Sequence, residues 1–475
     1  MGAQQSQVFI WGSTSAPNRL ISSLHGQVCQ DVAIGGNHNA VVLANGECYT
    51  WGSNKYGQLG HRRQNAVISS LDDPAVPRLV SYFVSEGILV LSVSCGEAHT
   101  AALTKDGLLY TWGCSQNGRL GREGSNTIPC VVSTLAKSPV LAVSCGGYHT
   151  AALTDSGRAY TWGLGAEGRL GHGNDMDQHV PLAVEIGTDA ASDPPVKQIV
   201  SGGHHTIAIV TGRNGHPPAV YSWGGGSFGK LGHGDEVPQN RPTPINLFAG
   251  MVLGEGDYVV QVAAGGQHSA AILASGALYV WGQSAQGRLG LPQITGNVTS
   301  PTRVVGMDAA CRESCGEQHT CVVTEIEDLY YCGLRPTRAQ AVTTFTKVDF
   351  LENSAAVEYV EAGEGHTIIL ARQDRHAVMR VLDRDHHGPF PSSPSPAKAM
   401  ARPKQSPMVY SPSTVRAMME TDVVKSDELV STLSRRIQDL EEEKKTLEHE
   451  LSRVKARNAI LESMLHKALD PIKET

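Results

Sequence analysis

Aromatic side chains are scarce, at 5% of the 475 residues, so any core must be assembled from small and β-branched groups. No apolar run approaches the roughly 20 residues that a membrane-spanning helix needs. The chain opens without the charged-then-apolar pattern of a signal peptide, and its ten cysteines contain no Cys-x-x-Cys pair. They read as reduced thiols rather than a disulfide or zinc framework. An excess of positive charge is also missing. The net charge of −7 supplies no global field for gripping nucleic acid, and direct DNA binding is not expected. The expectation is a soluble, intracellular protein, placed in the cytoplasm, with nucleus or cytoskeleton as alternatives.

What the sequence has in plenty is glycine, 51 residues, and a repeated phrase. SCGEAHTAALTKDGLLYTWG, SCGGYHTAALTDSGRAYTWG and AAGGQHSAAILASGALYVWG end at Gly113, Gly163 and Gly282. The histidine of the phrase falls at His38, His99, His149, His205, His268, His319 and His366, in steps of 61, 50, 56, 63, 51 and 47 residues. Such a period marks a repeat architecture. Thirteen residues after the histidine stand Trp51, Trp112, Trp162 and Trp281, and after a longer turn Trp223; Cys332 takes the sixth place. Between histidine and tryptophan the pattern is strand, Asp-Gly or Ser-Gly turn, strand. A hairpin cannot bury a face alone, but a unit of about 50 residues has room for the four strands of a propeller blade. Cys95, Cys145 and Cys315 share one repeat position before a glycine and read as small buried groups.

The two ends of the repeated region complement one another. The first aromatic strand, Val8 to Gly12, lacks a histidine strand before it, and the last histidine strand, His366 to Leu370, lacks an aromatic strand after it. Pairing them closes a ring and removes two open sheet edges. The G-x-x-H-[ST] strand, the Y-x-W-G strand and the G-x-L-G turn together resemble the regulator of chromosome condensation repeat family, over roughly residues 8–372. The resemblance implies a seven-bladed β-propeller, and its founding member implies nucleotide exchange on the small GTPase Ran together with nucleosome binding.

The expected activity is narrower than the resemblance. Ran exchange factors carry a lengthened wedge after the aromatic-glycine strand of one blade. Here Gly52 to Gly57, Gly113 to Gly118, Gly163 to Gly168, Gly224 to Gly229 and Gly282 to Gly287 are all five apart, which leaves no room for it. The stretch from Gly224 to Leu231 resembles a phosphate-binding loop but lacks the hydroxyl and the following helix; it reads as one more glycine turn. One histidine per blade cannot cluster around a metal ion, so the seven histidines and five tryptophans are expected to be structural. No cofactor, metal or catalytic residue is expected. The variable residue of the G-x-L-G turn is Gln58, then Arg119, Arg169, Lys230 and Arg288. Pseudo-symmetry gathers these four cations on one rim, the expected docking surface for an anionic protein partner.

Beyond the repeats, residues 373–426 are rich in Pro and Ser and read as a disordered linker, with Ser395 in a Ser-Pro-Ala-Lys site for proline-directed phosphorylation. Over residues 427–469 the period becomes seven, with Ile437, Leu451 and Asn458 at a and Leu440, Leu447 and Leu461 at d. Leucine at d with isolated polar a residues favours a parallel dimer, and residues 470–475 form a tail. At the other end residues 1–7 read as a flexible terminus in which Gly2 fits the N-myristoylation pattern; the membrane enters only if Gly2 is acylated. The functional expectation is a non-catalytic scaffold or adaptor, dimerised by the coiled coil and binding partners on the propeller rim. The alternative is a guanine nucleotide exchange factor for a Ran-like GTPase.

Overall fold

The computed structural model describes residues 6–11, 18–24, 26–61, 76–187, 194–212, 217–248, 257–334, 340–348 and 355–373. Gly2, Ser395, the linker and the heptad positions Ile437, Leu440, Leu447, Leu451, Asn458 and Leu461 lie outside the described residues.

The described residues form seven four-stranded antiparallel sheets, the seven-bladed propeller that the period implies. Blade 3 shows the plan, with strands Val140–Cys145, His149–Thr154, Ala159–Gly163 and Gln178–Ala183 running from the axis outwards. Blades 1, 2, 4, 5 and 6 repeat it from Cys29, Val90, Val196, Val259 and Ala310. The histidine strand is buried at all six positions in blades 1 to 6, because sheet packing covers it on both faces. Small residues such as Ala151 and Ala152, both 0% exposed, let neighbouring blades approach.

Blade 7 is built from both ends of the repeated region. Strands Ala355–Ala362 and Thr367–Gln373 pair with Ser6–Trp11 and Asn18–Leu20. Ile10 stands opposite Ile368 and Val8 opposite Leu370, so the expected closure is present. The closing strand begins at Ser6 and the last ends at Gln373, which extends the expected 8–372 boundary by two residues and one residue respectively.

An imidazole hydrogen bond crosses every joint between blades, and at five of the seven it belongs to one relay. Thr150 Oγ1 donates to the Arg119 carbonyl of the preceding blade at 2.9 Å, and His99 Nε2 meets that same hydroxyl at 2.9 Å. Since the hydroxyl proton is committed to the carbonyl, the imidazole must carry its hydrogen on Nε2 and donate it. The pattern repeats with His38 on Thr100, His149 on Thr206, His205 on Ser269 and His268 on Thr320, and His319 meets the Thr367 hydroxyl in the same way, all at 2.8 to 2.9 Å. At the closing joint His366 Nε2 donates instead to Asn39 Oδ1, at 2.6 Å. Burial lowers the pKa values of His38, His99, His149, His205, His268 and His366, pulling His38 down to about 4 and His149 to about 3.

Tryptophan reinforces the joint, and here one glycine is obligatory. Trp162 Nε1 donates to the Arg119 carbonyl at 3.0 Å, and a Cβ on Gly121 would stand 2.6 Å from that nitrogen. Blade 6 solves the missing indole in two parts. Cys332 Sγ reaches the Arg288 carbonyl at 3.2 Å in place of the ring nitrogen. Phe345, on the outer strand Val342–Lys347, fills the space over Gly290, where a Cβ would meet its ring at 2.5 Å. Blades 3, 4 and 5 have Pro181, Pro242 and Pro301 at the matching outer-strand position. Cys95, Cys145 and Cys315 are 7 to 8% exposed, the small buried groups the repeat suggests.

A candidate partner-binding face around the channel mouth

The G-x-x-H turn opens the second strand and the G-x-L-G turn follows the third, so antiparallel pairing brings both to one end of each blade. His149 stands opposite Gly163 in this register. Arg119, Arg169, Lys230 and Arg288 therefore do occupy equivalent places on one face, but not as a solvent-facing rim. They are only 2, 2, 2 and 4% exposed, which corrects the expectation of free cationic heads. The reason is local. The 3-10 turn before each of them presents a carbonyl three residues back, and the side chain folds onto it: Arg119 Nε to Gln116, Arg169 Nε to Ala166, Lys230 Nζ to Ser227 and Arg288 Nε to Ala285, at 2.8 to 3.2 Å. The remaining reach spans the joint to the next blade. Arg119 lies 5.0 Å from the Tyr148 ring centre, Arg169 Nη2 donates to His204 Nδ1 at 3.3 Å, Lys230 Nζ to Gln267 at 3.0 Å, and Arg288 Nη1 to the Glu317 carbonyl at 2.7 Å. Burial lowers the proton affinity of Arg169, Lys230 and Arg288. These cations are staples between blades, and what they hold in place is the exposed layer above them.

That layer is the mouth of the central channel, a cavity of about 600 Å³ lined by the first strand of every blade. Tyr148 is 37% exposed and His204 is in part open beside it, with Met176 and Val237 further out at 68 and 54%. Glu97, Glu317 and Glu364 hold a turn position that is Gly147, Gly203 and Gly266 in blades 3 to 5. The Glu317 carboxylate lies back over Gly266 and that of Glu97 over Gly36, where a Cβ would come within 1.6 and 2.7 Å of them. Burial and mutual repulsion raise the pKa values of Glu317 and Glu364, with Arg288 opposing the shift at Glu317.

Below the mouth, side-chain oxygens stitch the inner strands together. Asp31 Oδ2 accepts the Val93 N–H at 2.9 Å, Ser94 Oγ that of Cys145 at 2.9 Å, Ser144 Oγ that of Ser201 at 2.9 Å, and Ser314 Oγ that of Ala362 at 2.9 Å. Burial pushes Asp31 up to about 6 and Glu361 up to about 8, and Asp31 adds to the shift at Glu361 by repulsion. Glu313 stands where the other blades have Val32, Val93, Val143, Ile199, Val262 and Val360. It is 6% exposed, neither carboxylate oxygen has a hydrogen-bond partner, and burial pushes its pKa up to about 8. None of these carboxylates was singled out by the repeat. Aligning the seven first strands exposes the signal, one glutamate in a column of Val and Ile.

Comparison with known proteins agrees with this geometry. The RCC1-like domain model matches residues 66–379, and the regulator of chromosome condensation (RCC1) repeat model matches residues 29–58. The ultraviolet-B receptor UVR8 of Arabidopsis thaliana is 33% identical over 274 residues, covering 57% of each chain. The human E3 ubiquitin-protein ligase HERC2 is 33% identical over 304 residues, which are 64% of this chain and 5% of that protein. The chain thus spans between a twentieth and somewhat over half of these relatives. Among solved structures, Prp20p of Saccharomyces cerevisiae, described with its binding properties to Gsp1p and histones, superposes with a TM-score of 0.66 at 19% identity, covering 81% of this chain and 96% of that one. Human WBSCR16 gives 0.63 at 21% identity, covering 78% and 99%. With seven blades, a histidine hydrogen bond at every joint and a family model matching well over half its length, the chain belongs to the RCC1-like domain family.

Proposed function

We propose that this chain is a non-catalytic interaction scaffold that receives protein partners on the mouth face of its propeller. The observation that carries the reading is the two-layered face: buried cations fix the turns, Tyr148 and His204 line the mouth of the channel, and Met176 and Val237 are exposed on segments packed against Gly165 and Gly226 of the same turns. Rigid anchors rimmed by polar groups suit protein recognition, because little side-chain freedom remains to be lost on binding. Residues 427–469 would pair two such propellers in parallel and so raise avidity for repeated partner sites. The cytoplasm is the proposed place of action.

The test is capture of partners by the full-length chain, compared with a Tyr148→Ala, His204→Ala double variant, alongside nucleotide release from a panel of small GTPases. The expected result is loss of specific capture in the variant, an intact melting transition, and unchanged nucleotide release. Stimulated release from a Ran-like GTPase would instead establish the exchange-factor reading, against which the uniform five-residue glycine spacing stands.

A further inference from the structure

The outer strand of every blade is a sheet edge, and blades 1 to 5 close it at one point in the same way. Pro77, Pro129, Pro181, Pro242 and Pro301 each stand just before the outer-strand residue that pairs with the position preceding the tryptophan. Proline carries no N–H, so the edge offers an incoming strand no donor there. In blade 6 the place belongs to Phe345, next to Thr346, the partner of Tyr331. In blade 7 it is Asn18, the first residue of a three-residue strand. The direction of the Phe345 N–H follows from the ladder. Val348 N–H bonds inward to the Leu329 carbonyl at 2.9 Å, and alternation along the strand then turns Thr346 inward and Phe345 outward. The register gives Phe345 no partner in the third strand, and among the described residues no strand lies beyond Val342–Lys347. This edge, Val-Thr-Thr-Phe-Thr-Lys, is β-branched or aromatic at all but its last place, and Thr343, Thr344 and Thr346 are exposed. Lysine on an edge ordinarily wards off pairing, but Lys347 is drawn aside to Asp328 at 2.7 Å.

We propose that the outer strand of blade 6 accepts an extended segment of a protein partner as a fifth strand. The chemistry of the edge names this occupant, because a row of alternating N–H and C=O groups is satisfied only by another extended backbone. The exposed threonines ask no particular charge of it. The Phe345 ring is turned into the blade over Gly290, so the site presents main chain rather than side chain. One substitution thus has two effects: the phenyl ring fills the place of the missing indole, and the loss of proline opens the edge. A second propeller docking edge to edge would touch over one short strand, less than the ~1,200–2,000 Å² that stable pairs bury, whereas a pliable segment needs only the strand itself. The site lies on the outer edge of the ring, apart from the channel mouth, and goes beyond the scaffold reading.

The test uses the full chain and a fluorescein-labelled peptide of alternating valine and threonine, N-methylated at every second residue so that one edge alone can pair, followed by anisotropy. Wild type is expected to bind it, and to bind a counterpart methylated at every residue roughly tenfold more weakly. Two variants rebuild blade 6 on the plan of its sisters and differ at one backbone donor: Cys332→Trp, Phe345→Pro lacks the N–H and Cys332→Trp, Phe345→Val keeps it. The proline variant should bind the probe roughly tenfold more weakly than the valine variant. Equal affinities would overturn the proposal. Should either variant fail to fold, amide hydrogen exchange on wild type decides: slower exchange across residues 342–347 on adding the probe supports the site, and slowing only elsewhere overturns it. Concentration-dependent self-association that the proline variant alone lacks would assign the edge to a second copy and overturn the choice of a partner segment. Failure of partner capture with retained probe binding would unseat the scaffold reading alone.

Discussion

Blades 3 to 5 and the seam blades 6, 7 and 1 share one hydrogen-bonding plan and differ in what they put into it. The regular blades carry Trp162, Trp223 and Trp281, each 0% exposed, above a glycine, with proline in the outer strand and an uncharged channel wall. The seam blades replace an indole by Cys332 and Phe345, a hydroxyl by Asn39, and uncharged first-strand residues by Asp31, Glu313 and Glu361. The backbone relay is thus what defines a blade, and side-chain volume and charge are free to vary provided another residue fills the gap.

That comparison can be broken most severely at the closure. Deleting residues 1–12 removes the Ser6–Trp11 strand and should abolish the cooperative thermal transition altogether, whereas a ring held mainly by its other joints would lose only part of its β-sheet circular dichroism. The next largest effect concerns the two solutions to core filling. Trp162→Ala should cost about 3–5 kcal/mol and Phe345→Ala a comparable amount if the phenyl ring truly substitutes for an indole. Cys332→Trp should cost about 1–3 kcal/mol by overpacking, and combining it with Phe345→Ala should recover much of that loss in urea titrations. Simple addition of the two costs would show that the rings occupy different space.

Smaller, and dependent on pH, is the carboxyl group in the core. Burial raises the pKa of Glu313 in the folded chain from its ordinary 4.5 to about 8, so the unfolded chain ionises first. Its contribution to stability is full below about 4.5 and is lost as pH rises through about 8. Glu313→Val should therefore raise the melting temperature more at pH 8 than at pH 5. The histidines run the other way. With His38 and His149 lowered to about 4 and 3 from 6.5, the relay contributes fully above 6.5 and is lost as pH falls towards 4, which a series of urea midpoints from pH 7.5 to 4.5 would follow. Smallest of all, Arg119→Gln should cost about 0.5–1.5 kcal/mol, since Gln58 already fills the equivalent turn in blade 1 at 2% exposure.

The ring was legible in the sequence because histidine, tryptophan and glycine are each required by a joint that recurs, so their spacing reports geometry directly. Closure was legible for the same reason, as Val8 to Gly12 and His366 to Leu370 each lack the partner the other supplies. The state of the four cations was not. Their sequence position shows which face they occupy, but burial depends on a carbonyl three residues back and on Tyr148, His204, Gln267 or Glu317 arriving from another blade. The role of Phe345 was hidden likewise, thirteen residues from Cys332 and on a different strand.

The relay between blades has a consequence for how the molecule can be cut. The join between blades 7 and 1 also rests on an imidazole bond, from His366 to an amide oxygen where the six others meet a hydroxyl, so no joint goes without one. A molecule reconnected across the Ser6–Gln373 strand pair and reopened between Ile186 and Val196, at the boundary of blades 3 and 4, would keep every joint. The order in which the blades leave the ribosome is then an accident of genetics, and the circle itself has no beginning.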